Sequence, residues 1–247
     1  MSDPTAHGGF ARSVTSNLDV PAVALAIGAH PDDIEFGCGG TLAKWAAAGC
    51  AIHHLVCTDG SKGTWDAGQD LAELVALRQA EQTQASVKLG GEGRVAFLGW
   101  VDGELDTSLD KRAAVAYWIR RVKPDVVLGH DPWKRYRLHP DHRSAGFLTT
   151  DGIVAARDPH FFPDQDERPH RPSKLLLWEA DEPDHLEDIT GCEAAKVDAL
   201  LAHHSQLAST MGTDLDAFAA RLRTRHAQAG ATLGLPAAEA FKLISDL

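Results

Sequence analysis

Four short apolar runs, each about the length of one buried strand, restrict the fold of this chain more than any other feature. They cover residues 22–28, 51–57, 94–98 and 125–129. Helical patterns are found at residues 41–49, 70–89, 109–122 and 140–156. Such alternation over short connections predicts parallel strands with helices on both faces. Right-handed crossovers then limit the topology to a doubly wound, Rossmann-like, mostly parallel α/β sheet.

The rest of the chain is predicted to elaborate this body, because single α/β domains reach 247 residues. We expect a flexible tail at 1–19 and one domain over 20–247, with a body at 20–180 and a C-terminal elaboration at 181–247. Pro, His, Asp and Arg are frequent in 157–173, which predicts an ordered surface loop or a lid. Further strands are predicted at 174–180 and 185–189, and helices at 191–207, 213–229 and 236–246.

Charge and composition narrow the range of partners and locations. The formal net charge is −11, which argues weakly against a nucleic-acid or anionic-membrane partner, because such surfaces repel negative charge. The N-terminus lacks a signal-peptide pattern, no stretch approaches a membrane span, and the cysteines form no disulfide framework. We therefore expect a cytoplasmic protein that acts on a small molecule. Its C-terminal helices are expected either to close the site or to form the interface of a homo-oligomer.

Two short motifs rich in histidine and aspartate follow the first and fourth runs. The first is Ala29-His30-Pro31-Asp32-Asp33, and the second is His139-Pro140-Asp141-His142. In a doubly wound sheet, ligands bind outside the carboxyl ends of the strands, where the strand order reverses. If the runs pair in the order third, second, first, fourth, the two motifs meet at that point. The side chains of His30, Asp33 and His142 are then predicted to converge.

Two histidines and one carboxylate are a ligand set of catalytic zinc, which keeps one position open for water. Zinc lowers the pKa of that water to about 7. Hydrolysis also needs a base for the water proton and a donor for the oxyanion or leaving amine. Asp32 is the candidate base, His139 the candidate protonated donor, and Asp141 a candidate for orienting an imidazole. The same ligands fit non-haem Fe(II), so the metal stays open between zinc and iron.

Other interpretations of these residues stay open. A His-Pro-Asp segment is often only a turn whose aspartate caps a helix. The competing functions are a non-catalytic Rossmann-like module that binds a nucleotide or sugar, and an Fe(II) oxygenase. Residues 133–137, which read Trp-Lys-Arg-Tyr-Arg, either grip an anionic or sugar substrate or form a surface loop. His130, at the end of the fourth run, is a candidate for supporting the metal ligands.

The two motifs resemble those of the PIG-L/LmbE-type N-deacetylases. Three further segments between them are similar to that family: Thr58-Asp59-Gly60, Leu77-Arg78-x-x-Glu81 and Leu98-Gly99-x-x-Asp102-Gly103. The resemblance implies a zinc-dependent deacetylase of N-acetylated amino-sugar substrates, with zinc held by His30, Asp33 and His142. It also implies that Asp32 is the general base and that His139 assists the oxyanion or the leaving group. Arg78 and Asp102 are the implied contacts to substrate hydroxyls or phosphate.

The chain departs from the family pattern at three places. Ile34 stands where members often carry Glu, and Phe36 and Cys38 occupy the neighbourhood of the lysine of the mycothiol-conjugate amidases. Arg137 occupies the position at which the mycothiol deacetylase has tyrosine, which makes Arg137 a candidate substrate contact. The resemblance therefore predicts the chemistry and leaves the identity of the N-acyl substrate open.

Overall fold

The computed structural model describes residues 14–207 and 214–247, and all four apolar runs become neighbouring parallel strands there. The strands are β1 (Thr15–Ser16), β2 (Val23–Gly28), β3 (Ala51–Thr58), β4 (Val95–Trp100), β5 (Val126–His130), β6 (Lys174–Trp178), β7 (His185–Asp188) and β8 (Ala238–Ile244). They form one sheet in the order β1-β7-β8-β6-β5-β2-β3-β4. β8 is antiparallel to both of its neighbours, and the other pairs are parallel. The predicted α/β class and the predicted order of the four runs are confirmed.

Helices cover both faces of this sheet. They are α1 (Asp33–Ala47), α2 (Leu71–Lys88), α3 (Leu109–Val122), α4 (Pro140–Arg157), α5 (Glu193–Leu200), α6 (His204–Gln206) and α7 (Leu215–Gly230). The central strand β2 explains why the runs are apolar throughout. Its Ala24 and Ala26 join the core beneath α1, whereas Leu25 and Ile27 join the core beneath α3 and α4. Each face is therefore buried, as expected of a parallel sheet.

The helix predicted at 236–246 is wrong, because these residues form β8. The segment is rich in Ala, Glu, Lys and Leu, which favour helices in isolation. In the fold it lies between β6 and β7 and makes ladder hydrogen bonds to both. Its buried Glu239 accepts hydrogen bonds from Gly40 N–H, Thr41 N–H and Lys196 Nζ. Tertiary pairing thus overrides local propensity.

The first helix begins at Asp33, well before the predicted start at residue 41. The glycine-rich segment 37–40 lies inside α1, with a local kink at Cys38. Because these glycines have no side chains, α1 can lie close to Trp178 and Ile189. A Cβ on Gly37 would lie 2.4 Å from Cδ2 of Trp178, and one on Gly40 would lie 2.8 Å from Cδ1 of Ile189. These glycines therefore serve helix packing against the sheet.

The loop at 157–173 is ordered and is not a lid. α4 begins at the candidate site and runs for 18 residues, so this loop starts about 27 Å from the site. The buried guanidinium of Arg120 donates hydrogen bonds to the backbone carbonyls of Ala155, Ala156, Asp158, Phe161 and Phe162. These bonds fix the start of the loop at the end of the sheet that lies opposite the candidate site.

The two ends of the chain differ from their predictions in detail. Residues 1–13 of the predicted tail lie outside the described residues, whereas Thr15–Ser16 pair with β7 at the sheet edge. The helix predicted at 191–207 is divided into α5 and α6. Among the described residues, no helix combines the length and apolar character needed to cross a membrane.

Candidate active site

The two histidine motifs meet in one pocket at the carboxyl ends of β2 and β5. His30 follows β2, and Asp33 begins α1. His142 lies in the first turn of α4, which is reached from the end of β5. The pocket has a volume of about 710 Å³. Its walls also include Asp32, Arg78, Asp102, His130, His139, Trp178 and Glu179, together with Phe36, Lys62, Trp65, Gln206, Phe218 and Arg221.

The three predicted metal ligands form a compact triangle. Nε2 of His142 lies 3.2 Å from Nδ1 of His30 and 3.3 Å from Oδ1 of Asp33. Nδ1 of His30 lies 3.3 Å from Oδ2 of Asp33. Ligand atoms bound about 2.0–2.2 Å from a tetrahedral metal stand roughly 3.3–3.6 Å from one another. The three distances are close to this spacing, although the two that involve Asp33 end on different carboxylate oxygens, so the three side chains are placed to share one divalent ion.

The second nitrogen of His30 faces two carboxylates. Nε2 lies 3.1 Å from Oδ2 of Asp141 and 3.1 Å from Oδ1 of Asp102. Asp141 is fully buried and also accepts hydrogen bonds from the backbone N–H groups of Gly103 and Leu105. Two acceptors hold the ring proton on Nε2, which leaves Nδ1 directed into the triangle. This carboxylate–histidine arrangement is typical of metal ligands.

His142 fits a metal with one adjustment. Burial lowers the pKa of its imidazole to about 4, so the ring is neutral at pH 7. A guanidinium nitrogen of Arg137 lies 3.1 Å from Nδ1, and because guanidinium only donates, Nε2 carries the ring proton here. A metal on Nε2 replaces that proton, and the Nδ1–H of the metal-bound ring cannot keep this contact with Arg137.

His139 is the N-cap residue of α4 and presents a hydrogen-bond donor to the pocket. Its Nδ1 accepts the backbone N–H of Asp141 at 3.3 Å, as a helix N-cap does. The neutral ring therefore carries its proton on Nε2. Burial and the nearby charge of His30 lower the pKa of His139. The sequence predicted that His139 is protonated when it donates. The lowered pKa instead favours a neutral ring at neutral pH, in which the Nε2–H group is the donor.

Asp32 lies in a strained and half-buried position beside the triangle. Its φ of 104° is in the left-handed region, which costs a non-glycine residue about 1–3 kcal/mol. Its backbone N–H donates to Oε1 of Gln82 at 2.9 Å. Burial raises the pKa of the Asp32 carboxyl to about 6, although the charge of Arg78 opposes the rise. A carboxylate with a pKa near 6 is well suited to accept a proton at neutral pH.

Arg78 and Asp102 line the pocket, yet each also binds its surroundings. The Arg78 guanidinium donates to the carbonyls of Gly60 and Pro31 at 2.7 Å each, and it lies 3.5 Å from Oδ2 of Asp32. It thereby ties the loop after β3 to the first motif. Asp102 accepts the Lys62 backbone N–H at 3.0 Å. Substrate contact stays a prediction for both residues.

Arg137 and its preceding loop do not reach this pocket. Arg137 is buried, and its guanidinium donates to Oε2 of Glu179 at 2.5 Å as well as to His142. Trp133, Arg135 and Tyr136 line a separate cavity of about 570 Å³. The expectation that Arg137 binds substrate therefore has no support in the geometry, since its guanidinium holds neighbouring side chains instead.

Several residues around the pocket escaped the sequence analysis. Gln82 donates to Oε1 of Glu35 at 2.7 Å, and Oε2 of Glu35 lies 3.4 Å from Nε2 of His203. Burial opposes charge on His203, but the hydrogen bond and charge of Glu35 outweigh it and raise the pKa. His203 comes from a distant helical segment, and Gln82 looks like any polar position on an amphipathic helix. Only Glu35, close to the first motif, had a sequence signal.

The chain is similar to characterised deacetylases in sequence and in fold. A family model described as "PIG-L: GlcNAc-PI de-N-acetylase" matches residues 25–153. Diacetylchitobiose deacetylase of Thermococcus kodakarensis is 34% identical over 185 residues, covering 74% of this chain and 69% of the relative. A 1D-myo-inositol 2-acetamido-2-deoxy-alpha-D-glucopyranoside deacetylase of Mycolicibacterium smegmatis is 28% identical, covering 79% and 83%. The solved N,N'-diacetylchitobiose deacetylase of Pyrococcus horikoshii superposes with a TM-score of 0.84 at 30% identity, covering 91% of this chain and 84% of that one.

Proposed function

We propose that this chain, which belongs to the PIG-L family of GlcNAc-PI de-N-acetylases, is a metal-dependent N-deacetylase of small amino-sugar substrates. The observation that carries the proposal is the triangle of His30, Asp33 and His142 with Asp32 and His139 beside it in one pocket. Two relatives named for deacetylation of N-acetylated sugars support the substrate class.

The metal is zinc in this proposal. Two imidazoles and one carboxylate at the observed spacing suit zinc, and they also suit Fe(II), which is the alternative. When bound, zinc acidifies water to a pKa of about 7 and polarises an acyl oxygen. His30 would hold it through Nδ1, His142 through Nε2, and Asp33 through its carboxylate.

The side chains of the chain divide the remaining work of amide hydrolysis. Asp32 accepts the proton of the attacking water, because its half-buried carboxylate lies beside the triangle and has a pKa of about 6. His139 points a neutral Nε2–H into the pocket, where it donates to the developing oxyanion or to the leaving amine. Arg78 and Asp102 contact sugar hydroxyls from the pocket wall.

The first experiment measures bound metal and released acetate together. We expect about one zinc per chain in the purified protein, and acetate release from N-acetylglucosamine or N,N'-diacetylchitobiose. His142→Ala should lose the metal and the activity, whereas His160→Ala, an exposed change in the distant loop, should keep both. A protein that takes up neither zinc nor iron and binds a nucleotide or sugar without turnover would favour the non-catalytic module.

The role of Asp32 is tested separately from metal binding. Asp32→Asn should retain the metal and lower kcat by about 10²–10⁴-fold, since it removes a general base and leaves the ligands in place. Wild-type turnover in this variant would reject the mechanism. The cytoplasmic location and the homo-oligomer expected from the sequence stay predictions.

A further inference from the structure

His130 and Trp178 are paired residues at the carboxyl ends of β5 and β6. The indole Nε1 of Trp178 donates a hydrogen bond to Nδ1 of His130 at 3.0 Å, and each residue is only 1% exposed. An indole N–H can donate but cannot accept. Nδ1 of His130 is therefore the acceptor, and the neutral ring must carry its proton on Nε2.

That Nε2 is directed at the metal triangle. It lies 3.1 Å from Oδ2 of Asp33, but without the geometry of a hydrogen bond, and it is buried with no hydrogen-bond partner among the described residues. The His130 ring stacks on the ring of His142, with centroids 4.4 Å apart and planes 16° apart. His130 thus contacts two of the three candidate ligands, from inside the pocket wall.

This position makes His130 a competitor for the metal. Within the described ranges, His130, His142 and Glu179 form a further group whose ligand atoms all lie within 4.8 Å of one another. An imidazole nitrogen with a free lone pair at this place would add a fourth protein ligand or draw the ion toward Glu179. Either event would remove the open position that a catalytic zinc site needs for water.

We propose that Trp178 keeps His130 off the metal by holding the proton on Nε2. A protonated ring nitrogen has no lone pair to offer, and the hydrogen bond at one nitrogen sets the role of the other. The Nε2–H group instead lies beside Oδ2 of Asp33 without forming a hydrogen bond, while Oδ1 faces His142 at 3.3 Å. Gly37 leaves the space that the indole occupies. Trp178 is therefore a positioning residue for His130. This proposal rests on the proposed function only in that a metal binds at all.

The direct test is an NMR measurement of the His130 tautomer in the full chain. Histidine labelled with ¹⁵N distinguishes Nδ1–H from Nε2–H rings by their nitrogen shifts, and His130→Gln assigns the signal by removing it. We expect an Nε2–H ring both in chelator-treated protein and after zinc is restored. A ring protonated on Nδ1 in the wild type overturns the proposal.

The second test removes the indole donor. Trp178→Phe should free Nδ1, release the Nε2 lone pair, and tighten zinc binding at least about tenfold in competition with a chelator, the scale of effects from groups behind metal ligands. The gain should vanish in the Trp178→Phe/His130→Asn double variant. Equal or weaker zinc binding in a folded Trp178→Phe overturns the proposal.

A matched control separates this effect from loss of packing. Trp45 is fully buried, and its Nε1 has no hydrogen-bond partner among the described residues. Trp45→Phe therefore removes a similar volume without touching a histidine, and zinc affinity should not change. If Trp178→Phe does not fold, the wild-type spectrum alone decides. Because no substrate is used, failure of acetate release would count against the proposed function and would leave the tautomer result standing.

Discussion

Gln82 accepts a hydrogen bond from the backbone N–H of Asp32 at 2.9 Å, and this contact holds the candidate base in its left-handed conformation. The amide of Gln82 is fully buried and donates in turn to Oε1 of Glu35 at 2.7 Å. A strained backbone persists only where its surroundings determine it. A buried amide on α2 thus supports the geometry of a residue at the end of β2.

Removing this amide should slow turnover while metal binding persists. We expect Gln82→Leu to lower kcat about 10–100-fold, because Asp32 loses the partner that orients it, with metal content near that of the wild type. Steady-state acetate release and metal analysis measure the two effects. Gln79→Leu, one turn earlier on α2, is the matched control and should retain full turnover. Equal kcat in both variants would show that Asp32 keeps its conformation unaided.

The contact between Asp141 and His30 leads to a prediction about metal affinity. Asp141→Asn keeps the volume but replaces a carboxylate that accepts from His30 Nε2 and from the backbone of Gly103. We expect metal affinity to fall about 10–100-fold, since His30 loses one of the carboxylate contacts that orient its ring. Titration with a chelator measures the change. Asp151→Asn, at the surface side of the same helix, should bind metal as the wild type does.

Arg120 should matter for stability and not for catalysis. Arg120→Met leaves several buried carbonyls without a donor, and we expect the free energy of unfolding to fall by about 3 kcal/mol. Because the loop at 157–173 lies at the end of the sheet opposite the candidate site, kcat should stay unchanged in the folded variant. Arg121→Met, at the surface, should cost about 0.5 kcal/mol or less. A fall in kcat at temperatures where Arg120→Met is folded would indicate that the loop at 157–173 acts as a lid after all.

The buried pair of Glu239 and Lys196 should make stability depend on acid pH. Burial opposes charge on Glu239, but Lys196 and the hydrogen bonds from Thr41 outweigh it and lower the pKa below its ordinary value of 4.5. The stabilisation is therefore complete above the ordinary pKa and is lost as the pH falls through the lower folded value.

Glu239→Gln should lower the free energy of unfolding at pH 7 by about 3–5 kcal/mol, because Lys196 is left buried without its counter-charge. Its stability should also fall less steeply with acid than that of the wild type. Denaturant unfolding at a series of pH values from 7 downward measures both. The exposed Glu182→Gln should follow the wild-type curve, and parallel curves for wild type and Glu239→Gln would contradict the assignment.

The sequence alone determined the features that depend on local pattern. A parallel sheet buries both faces of its strands, so the four core strands are continuous apolar runs that can be recognised without a structure. Their order brings the ends of β2 and β5 together, which places His30, Asp33 and His142 at one edge. The residue types histidine and aspartate by themselves indicate metal-binding side chains. Their occurrence at strand ends therefore predicts the candidate ligands without a structure.

Only the tertiary structure decided the features that depend on contacts between distant segments. β8 is a strand because two sheet edges need its backbone groups, although its residues favour helix. The roles of Gln82 and Trp178 come from single hydrogen bonds to Asp32 and His130, and no local pattern marks either residue. Hydrogen bonds act over about 3 Å in space and impose no spacing along the chain, so a sequence can name the reactive groups but not what holds them in place.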